Sequence, residues 1–190
     1  VDSVRRPDLL EKARRAGYRW VALGIEAADS TVRDGQDKDF SDAQIVKTVR
    51  AIQDAGINVI ANYIFGLDGD TMGSMRRTLD LALELRTEWA NFYSCMIYPG
   101  SRLYAEAVRK GVPLSDNWAS YAPLGYECIP FAPDGLTPAE VLRFRDMAFL
   151  RYFGDPEYLA MMQAKFGQAA VADILQMVAA GPPKRKILGG

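Results

Sequence analysis

Three short segments of the chain combine tight turns with polar side chains, a pattern that suits ligand binding. GIEA (24–27) places a carboxylate directly after an apolar run, FGLDGDT (65–71) is a glycine-rich turn, and YPGS (98–101) is a second tight turn. Glycine turns let a ligand approach the backbone, and a helix that starts just after them adds N–H donors. Together these segments suit a ligand with hydroxyls and an amine, such as a nucleoside with an amino-acid tail.

Asn62 is a polar side chain inside the apolar run NVIANYIFG, and strand alternation places it on one face with Asn58 and Gly66. A buried amide needs a hydrogen-bond partner, which either a ligand or the surrounding core could supply. The other candidates have equally plain structural explanations. Glu26 could simply cap a loop, and glycines after strands often only turn the chain.

The composition excludes several kinds of site. The 190 residues contain no histidine, which removes Ser-His-Asp and Cys-His catalysis and imidazole metal ligands. No nucleophile–base pair is evident, and the catalytic residues stay unknown. The two cysteines, Cys95 and Cys128, lack the spacing of a metal site, so we expect no metal ligands and two buried free thiols.

Charge and hydropathy indicate an ordinary globular protein. Lysine and arginine number 23 against 24 acidic residues, which argues against a nucleic-acid partner. No run reaches the ~20 apolar residues of a membrane span, and the first residues lack the apolar core of a signal peptide. We therefore expect one soluble, cytoplasmic domain with at most a small appendage.

The first half alternates helical and strand patterns. Strands are predicted at 18–25, 57–65 and 91–98. Counted from about positions 19, 57 and 91, their starts lie 38 and 34 residues apart, the length of a β-loop-α unit. Capping patterns at Ser41, Thr71 and Ser101 predict the intervening helices. Such units form a parallel sheet whose ligand sites lie at the carboxyl ends of the strands. The three candidate segments should therefore meet at one rim.

The second half divides differently. We predict an irregular surface loop at 112–136, a three-helix extension at 137–181 that begins at Thr137-Pro138, and a basic tail at 182–190. The loop around Trp118 to Phe131 is predicted to form a wall or lid over a substrate, because long ordered loops are often functional.

The three segments resemble one known family. GIEA, IFGLDGDT and YPGSRLY resemble the last three strands of radical S-adenosylmethionine (SAM) enzymes, where the matching segments read GIES, IxGLPGET and PGTxLY. The opening VDSV resembles the end of the preceding strand, so the likeness runs from Val1 to about Tyr104. It implies an α/β fold, the C-terminal half of a partial TIM-type (βα)6 barrel with parallel strands at 1–111, followed by a small all-α extension. YEC (126–128), the extension and the KRK tail are similar to members that carry an N-terminal cobalamin-binding domain.

The resemblance also implies a site for SAM. It places Glu26 near the ribose or methionine part, the strand around Ile64 beside the adenine, and the last turn against the nucleoside. Asp68 replaces the family's usual proline, and Asp70 replaces its usual glutamate. The residues implied to bind the cofactor are Glu26, Asn62, Ile64, Gly66, Asp70, Tyr98, Pro99 and Gly100.

One family motif is absent. Radical SAM enzymes hold a [4Fe-4S] cluster with a CxxxCxxC loop, and this chain has no such loop. The resemblance therefore implies a fragment whose parent cleaves SAM reductively at the cluster and then methylates, rearranges or cyclises a small-molecule substrate at an unactivated carbon, with cobalamin as a further cofactor. Its partner would be the missing N-terminal half of the barrel. The alternative is a non-catalytic half-barrel that serves as a binding or assembly module.

Overall fold

The computed structural model describes residues 7–34 and 41–189, so the VDSV segment lies outside the described residues. The strands are β1 (Trp20–Glu26), β2 (Asn58–Phe65) and β3 (Trp89–Ser94). The helices are α1 (Pro7–Arg15), α2 (Ser30–Asp34), α3 (Asp42–Asp54), α4 (Met72–Leu85), α5 (Arg102–Arg109), α6 (Pro138–Phe153), α7 (Pro156–Phe166) and α8 (Gln168–Ala180). Short 3₁₀ turns occur at Trp118–Tyr121 and Lys186–Leu188.

The three strands form one parallel sheet in the order β1-β2-β3, which confirms the predicted α/β architecture. Ala22 lies opposite Ile60, and Ile60 lies opposite Trp89 on the other side. The register of β1 shifts between Gly24 and Glu26, which indicates a bulge at its carboxyl end.

The predicted bounds of the third strand were wrong, because β3 is Trp89–Ser94 rather than 91–98. β2 ends at Phe65, whose carbonyl accepts the last hydrogen bond of the pairing, from Cys95 N at 2.8 Å. The Cys95 carbonyl then accepts from Phe131 N, also at 2.8 Å. After Ser94 the chain therefore pairs with the later loop instead of continuing along β2.

One face of the sheet is packed under helices. Alternate residues of β2, from Val59 to Phe65, are fully buried against α3, α4 and α6, while the residues between them are half-buried. Phe92 stacks on Phe65 with ring centroids 5.8 Å apart, and Phe144 of α6 meets Phe65 edge-on at 4.9 Å. Each such side chain contributes roughly 1.5–3 kcal/mol by leaving water, so this face anchors the strands.

The predicted caps at the starts of α3, α4 and α6 are confirmed. The side-chain oxygens of Ser41, Thr71 and Thr137 each accept the backbone N–H three residues ahead, and the residue there bonds back to the cap N–H. Each cap contributes about 1 kcal/mol to its helix. The sequence signal was sufficient because both halves of the motif lie within one turn.

The three C-terminal helices share the core of the sheet. Arg145 Nε donates to the Phe92 carbonyl at 2.8 Å, and the Tyr152 hydroxyl donates to the Thr87 carbonyl at 2.6 Å. α6 thus covers the outer side of β3 directly. No helix within 7–34 and 41–189 is long and apolar enough to cross a membrane.

Candidate functional site

A cavity of about 750 Å³ opens at the carboxyl ends of β2 and β3. Its walls come from the strand ends, the loops that follow them, α2, the first turns of α5 and the 112–136 loop. The lining residues are Thr31, Ile64, Leu67, Asp68, Gly69, Tyr93, Ser94, Cys95, Met96, Tyr98, Ser101, Arg102, Leu103, Glu106 and Pro123. Of the residues predicted to bind SAM, Ile64 and Tyr98 therefore line the cavity.

Asp70 is buried and braces the loop after β2. One carboxylate oxygen accepts from Gly66 N at 3.0 Å and Leu67 N at 3.1 Å, and the other accepts from Ser74 Oγ at 2.5 Å. Burial raises the pKa of Asp70, and these hydrogen bonds oppose that rise. Both oxygens are thus engaged by the loop and by the start of α4, and Asp70 does not line the cavity.

Gly66 is the point where the chain leaves β2, and it has little room. Its φ of +78° lies in the left-handed region, and a Cβ built there would lie 2.8 Å from Val141 Cγ1 and 3.2 Å from the Phe131 carbonyl. Gly66 therefore permits α6 and the later loop to pack closely behind the cavity. Gly69 has a similar φ of +81°, but its Cβ position is open.

Glu26 and Asn62 lie outside the lining of the cavity. Glu26 ends β1 beside the bulge with a φ of +66°, and its side chain is half-buried. Asn62 is half-buried on the face away from the helices, where its Nδ2 donates to the Leu23 carbonyl at 3.2 Å. The next pair of residues along that face, Ile64 and Tyr93, lines the cavity.

Sequence reasoning missed Asn91, the polar partner of Asn62, and Trp89, which is in turn a partner of Asn91. Asn91 lies opposite Asn62 in the register of β2 and β3, and its Nδ2 donates to Asn62 Oδ1 at 2.9 Å. Trp89 Nε1 donates to Asn91 Oδ1 at 3.0 Å. The available signal was the alternation that puts Trp89, Asn91 and Tyr93 on one face, which required the correct start of β3.

The turn after β3 forms the outer rim of the cavity. Tyr98, Pro99 and Gly100 are all exposed, and Gly100 turns the chain with a φ of +86°. Ser101 then caps α5 by accepting from Tyr104 N at 3.1 Å. The residues of this turn are thus open to solvent, and the Tyr98 carbonyl accepts from Ser101 N at 3.0 Å.

A buried arginine holds the loop that follows β1. Arg33 Nη1 donates to the carbonyls of Ala27 and Ala28 at 2.8 and 3.1 Å, and it pairs with Asp42 of α3 at 3.0 Å. Ala28 N donates to Thr78 Oγ1 of α4 at 3.0 Å. These contacts tie the first strand end to its neighbours and keep that side of the rim in place.

The two cysteines are free and buried, as predicted. Cys95 lines the cavity, and burial, with the nearby Asp70 and Asp68 carboxylates, raises its pKa to about 12. Its thiol is therefore protonated at neutral pH, whereas iron is bound by thiolates. No group of three metal-ligating side chains occurs in the described ranges, so the residues present do not fit a [4Fe-4S] cluster.

Comparison with known proteins finds one family model that matches the first part of the chain. A family model described as the radical SAM superfamily matches residues 1–82. The anaerobic magnesium-protoporphyrin IX monomethyl ester cyclase of Cereibacter sphaeroides is 28% identical over 142 residues, which cover 75% of this chain and 22% of that protein. The chain thus spans less than a quarter of the length of the curated relatives it first matches.

Two solved structures share the fold. Coproporphyrinogen III oxidase (HemN) of Escherichia coli, a radical SAM enzyme, covers 84% of this chain and 35% of its own length, with 18% identity and a TM-score of 0.56. The radical SAM methyltransferase TsrM of Kitasatospora setae, solved with cobalamin and a [4Fe-4S] cluster, covers 73% of this chain and 28% of its own length, with 19% identity and a TM-score of 0.51. The match to the radical SAM superfamily covers the first 82 residues, and the three parallel strands share the TIM-type barrel fold of these two structures.

Proposed function

We propose that this chain supplies the nucleoside-binding side of the SAM pocket in a longer radical SAM enzyme. The observation that carries the proposal is the cavity at the carboxyl ends of β2 and β3, in a chain whose first 82 residues match the superfamily. Ligand sites of parallel α/β folds lie at this end of the strands. Its volume of about 750 Å³ falls within the range of pockets that hold small molecules.

The lining has parts that suit a nucleoside. Ile64 and Leu67 offer apolar surface for the flat adenine ring, whose burial is favourable. The exposed turn at Tyr98 to Gly100 offers backbone groups to the nucleoside. Glu26, at the end of β1, lies outside this lining, and its carboxylate is proposed to accept hydrogen bonds from ribose hydroxyls at the edge of the site.

The electron for SAM cleavage must come from outside this chain. A [4Fe-4S] cluster supplies that electron in radical SAM chemistry, and the residues described here do not fit one. We propose that its ligands belong to the missing N-terminal half of the barrel. The parent reaction is then SAM cleavage followed by methylation, rearrangement or cyclisation of a small-molecule substrate, with cobalamin as a further cofactor, as TsrM has.

The 112–136 loop is proposed to wall the substrate side of the pocket. Pro123 from this loop lines the cavity, and Trp118 nearby is 75% exposed. Two backbone hydrogen bonds fix the later part of the loop. Phe131 N donates to the Cys95 carbonyl at 2.8 Å, and Lys186 N donates to the Tyr126 carbonyl at 2.9 Å. An ordered loop with an exposed aromatic side chain can close over an apolar substrate.

A binding experiment tests the proposal. S-Adenosylhomocysteine affinity should be measured by calorimetry on the complete polypeptide that contains this chain, comparing Ile64→Ala with Ile60→Ala. The two residues lie on the same half-buried face of β2, but Ile60 does not line the cavity. Loss of the apolar contact should weaken binding about tenfold for Ile64→Ala and less than about twofold for Ile60→Ala. Equal effects, or no binding by the unmodified protein, would overturn the proposal and favour an assembly module.

A further inference from the structure

A chain of side-chain hydrogen bonds crosses all three strands just below the cavity. It runs from Trp89 Nε1 to Asn91 Oδ1, from Asn91 Nδ2 to Asn62 Oδ1, and from Asn62 Nδ2 to the Leu23 carbonyl. Its three links measure 3.0, 2.9 and 3.2 Å. Gly24 lies opposite Asn62 and has no side chain, so the amide can reach across β1.

Both ends of this chain fix its direction independently. The indole of Trp89 can only donate, so the Asn91 atom that faces it must be the oxygen. The Leu23 carbonyl can only accept, so the Asn62 atom that faces it must be the nitrogen. The bond between the two amides then has one arrangement, with Asn91 donating, and flipping either amide would set two like atoms against each other.

We propose that Trp89 and Asn91 are positioning residues that hold the Asn62 amide in one orientation for ligand binding in the barrel. The proposal rests on the proposed function, because the ligand is SAM in the adjoining cavity. Each amide nitrogen carries two hydrogens and uses one in the chain of bonds. Asn62 and Asn91 can therefore each direct a second N–H toward the half-buried face that leads to Ile64 and Tyr93.

The arrangement also accounts for an amide at position 62. An aspartate there would set a carboxylate oxygen against the Leu23 carbonyl and would carry a charge on a half-buried face. An asparagine satisfies both neighbours without charge. Fixing its orientation before the ligand arrives reduces the entropy lost on binding.

Asn91→Asp gives a test that depends on pH. An ionised carboxylate at position 91 could still accept from Trp89, but it would face Asn62 Oδ1 with an oxygen and no proton. The protonated carboxyl would restore the original pattern, because its carbonyl accepts from Trp89 and its hydroxyl donates to Asn62. Half-burial and the facing oxygen would both raise the pKa of this carboxyl, so the pattern should return as the pH falls from 8 toward 5.

Few other titratable groups lie near Asn91 on the described strands. Tyr93 is two residues along β3, and Glu26 ends β1. Glu88, just before β3, is buried, and its carboxylate accepts hydrogen bonds from Val59 N at 2.7 Å and Lys165 Nζ at 2.5 Å. The unmodified protein, titrated in parallel, reports what these groups contribute, so only the difference between the two proteins reports position 91.

The experiment measures S-adenosylhomocysteine affinity of the complete polypeptide at pH 8 and pH 5 for the unmodified protein, Asn91→Asp and Trp89→Phe. Asn91→Asp should bind about tenfold more weakly at pH 8 and within about threefold at pH 5. Trp89→Phe keeps a ring beside Phe153, at 4.9 Å in the native pair, and should lose only a few-fold at either pH. A pH-independent effect, or none, would overturn the proposal.

A second measurement separates this proposal from the proposed function. Hydrogen exchange of the β2 and β3 amides, without ligand, should show faster exchange for Asn91→Asp than for the unmodified protein at pH 8 and a much smaller difference at pH 5. If the unmodified protein does not bind S-adenosylhomocysteine, the proposed function fails and so does the role of the hydrogen-bond chain in binding. The exchange data then decide whether the hydrogen-bond chain itself exists. Normal binding with no pH-dependent difference would overturn the positioning role alone.

Discussion

Replacing Gly66 by alanine tests why the motif after β2 contains a glycine at that position. The structure predicts two separate costs for Gly66→Ala. One is backbone strain from the φ of +78°, about 1–2 kcal/mol for a residue with a Cβ. The other is the collision of that Cβ with Val141 at 2.8 Å, and overpacking of this kind costs about 1–3 kcal/mol. The total predicted loss is therefore about 2–5 kcal/mol in the free energy of unfolding.

Gly69→Ala is the matched control, because Gly69 has a φ of +81° but no atom near its Cβ position. It should lose only the strain energy of about 1–2 kcal/mol. Shortening the obstructing side chain provides a second control. In a Val141→Ala background, Gly66→Ala should cost about 1 kcal/mol less than in the unmodified protein, since the nearest atoms have been removed.

The assay is urea unfolding followed by the fluorescence of the chain's three tryptophans, with the denaturant slope checked for constancy. Equal losses for Gly66→Ala and Gly69→Ala would refute the packing explanation. The glycine at position 66 would then be explained by backbone conformation alone. The close approach of α6 to the strand end would add nothing to the cost of a side chain at this position.

The remaining predictions concern three buried groups, Asp70, Glu88 and Cys95. Asp70→Ala should lose about 2–4 kcal/mol because two buried N–H groups lose their acceptor, while Asp70→Asn should lose about 1 kcal/mol. Because burial raises the folded-state pKa of Asp70 above 3.8, the stability of the unmodified protein relative to Asp70→Asn should fall as the pH rises above about 4. If urea unfolding gave a pH-independent difference in free energy of unfolding between the two proteins, this prediction would be contradicted. Glu88→Ala should lower the free energy of unfolding by about 3 kcal/mol, which is more than Lys165→Met should, because Glu88 is buried and also accepts from Val59 N. A larger loss of stability for Lys165→Met in thermal unfolding would refute this explanation. Cys95 should react with iodoacetamide at pH 8 about 10³-fold more slowly than a free thiol, because its pKa is about 12, and labelling at the rate of an exposed cysteine would disprove its burial.

The parts of the fold that could be predicted are those with short-range signals. The caps of α3, α4 and α6 depend on residues three positions apart, so Ser41, Thr71 and Thr137 identified the helix starts correctly. The end of β3 depends instead on Phe131, which pairs with Cys95 from 36 positions away. Apolar residues continued to Tyr98, so composition alone extended the strand too far.

The candidate site shows the same division. Asn62 was recognised as a polar residue within an apolar strand, but its partner Asn91 depends on the register of a strand 29 residues further on. Asp70 was assigned to SAM by resemblance, and its hydrogen bonds to Gly66 and Leu67 depend on a loop conformation that spacing does not reveal. Ile64 and Tyr98 were also assigned to SAM by resemblance, and both line the cavity at the strand ends, where folds of this kind bind ligands.

The most direct test of the central claim is release of 5′-deoxyadenosine from SAM by the complete polypeptide that contains this chain. The protein, with its iron–sulfur cluster intact, would be reduced with dithionite without oxygen, and the product measured by chromatography and mass spectrometry. The account predicts release by the unmodified protein and a higher KM for SAM in Ile64→Ala than in Ile60→Ala. Reduced cluster and bound SAM without any 5′-deoxyadenosine would contradict it.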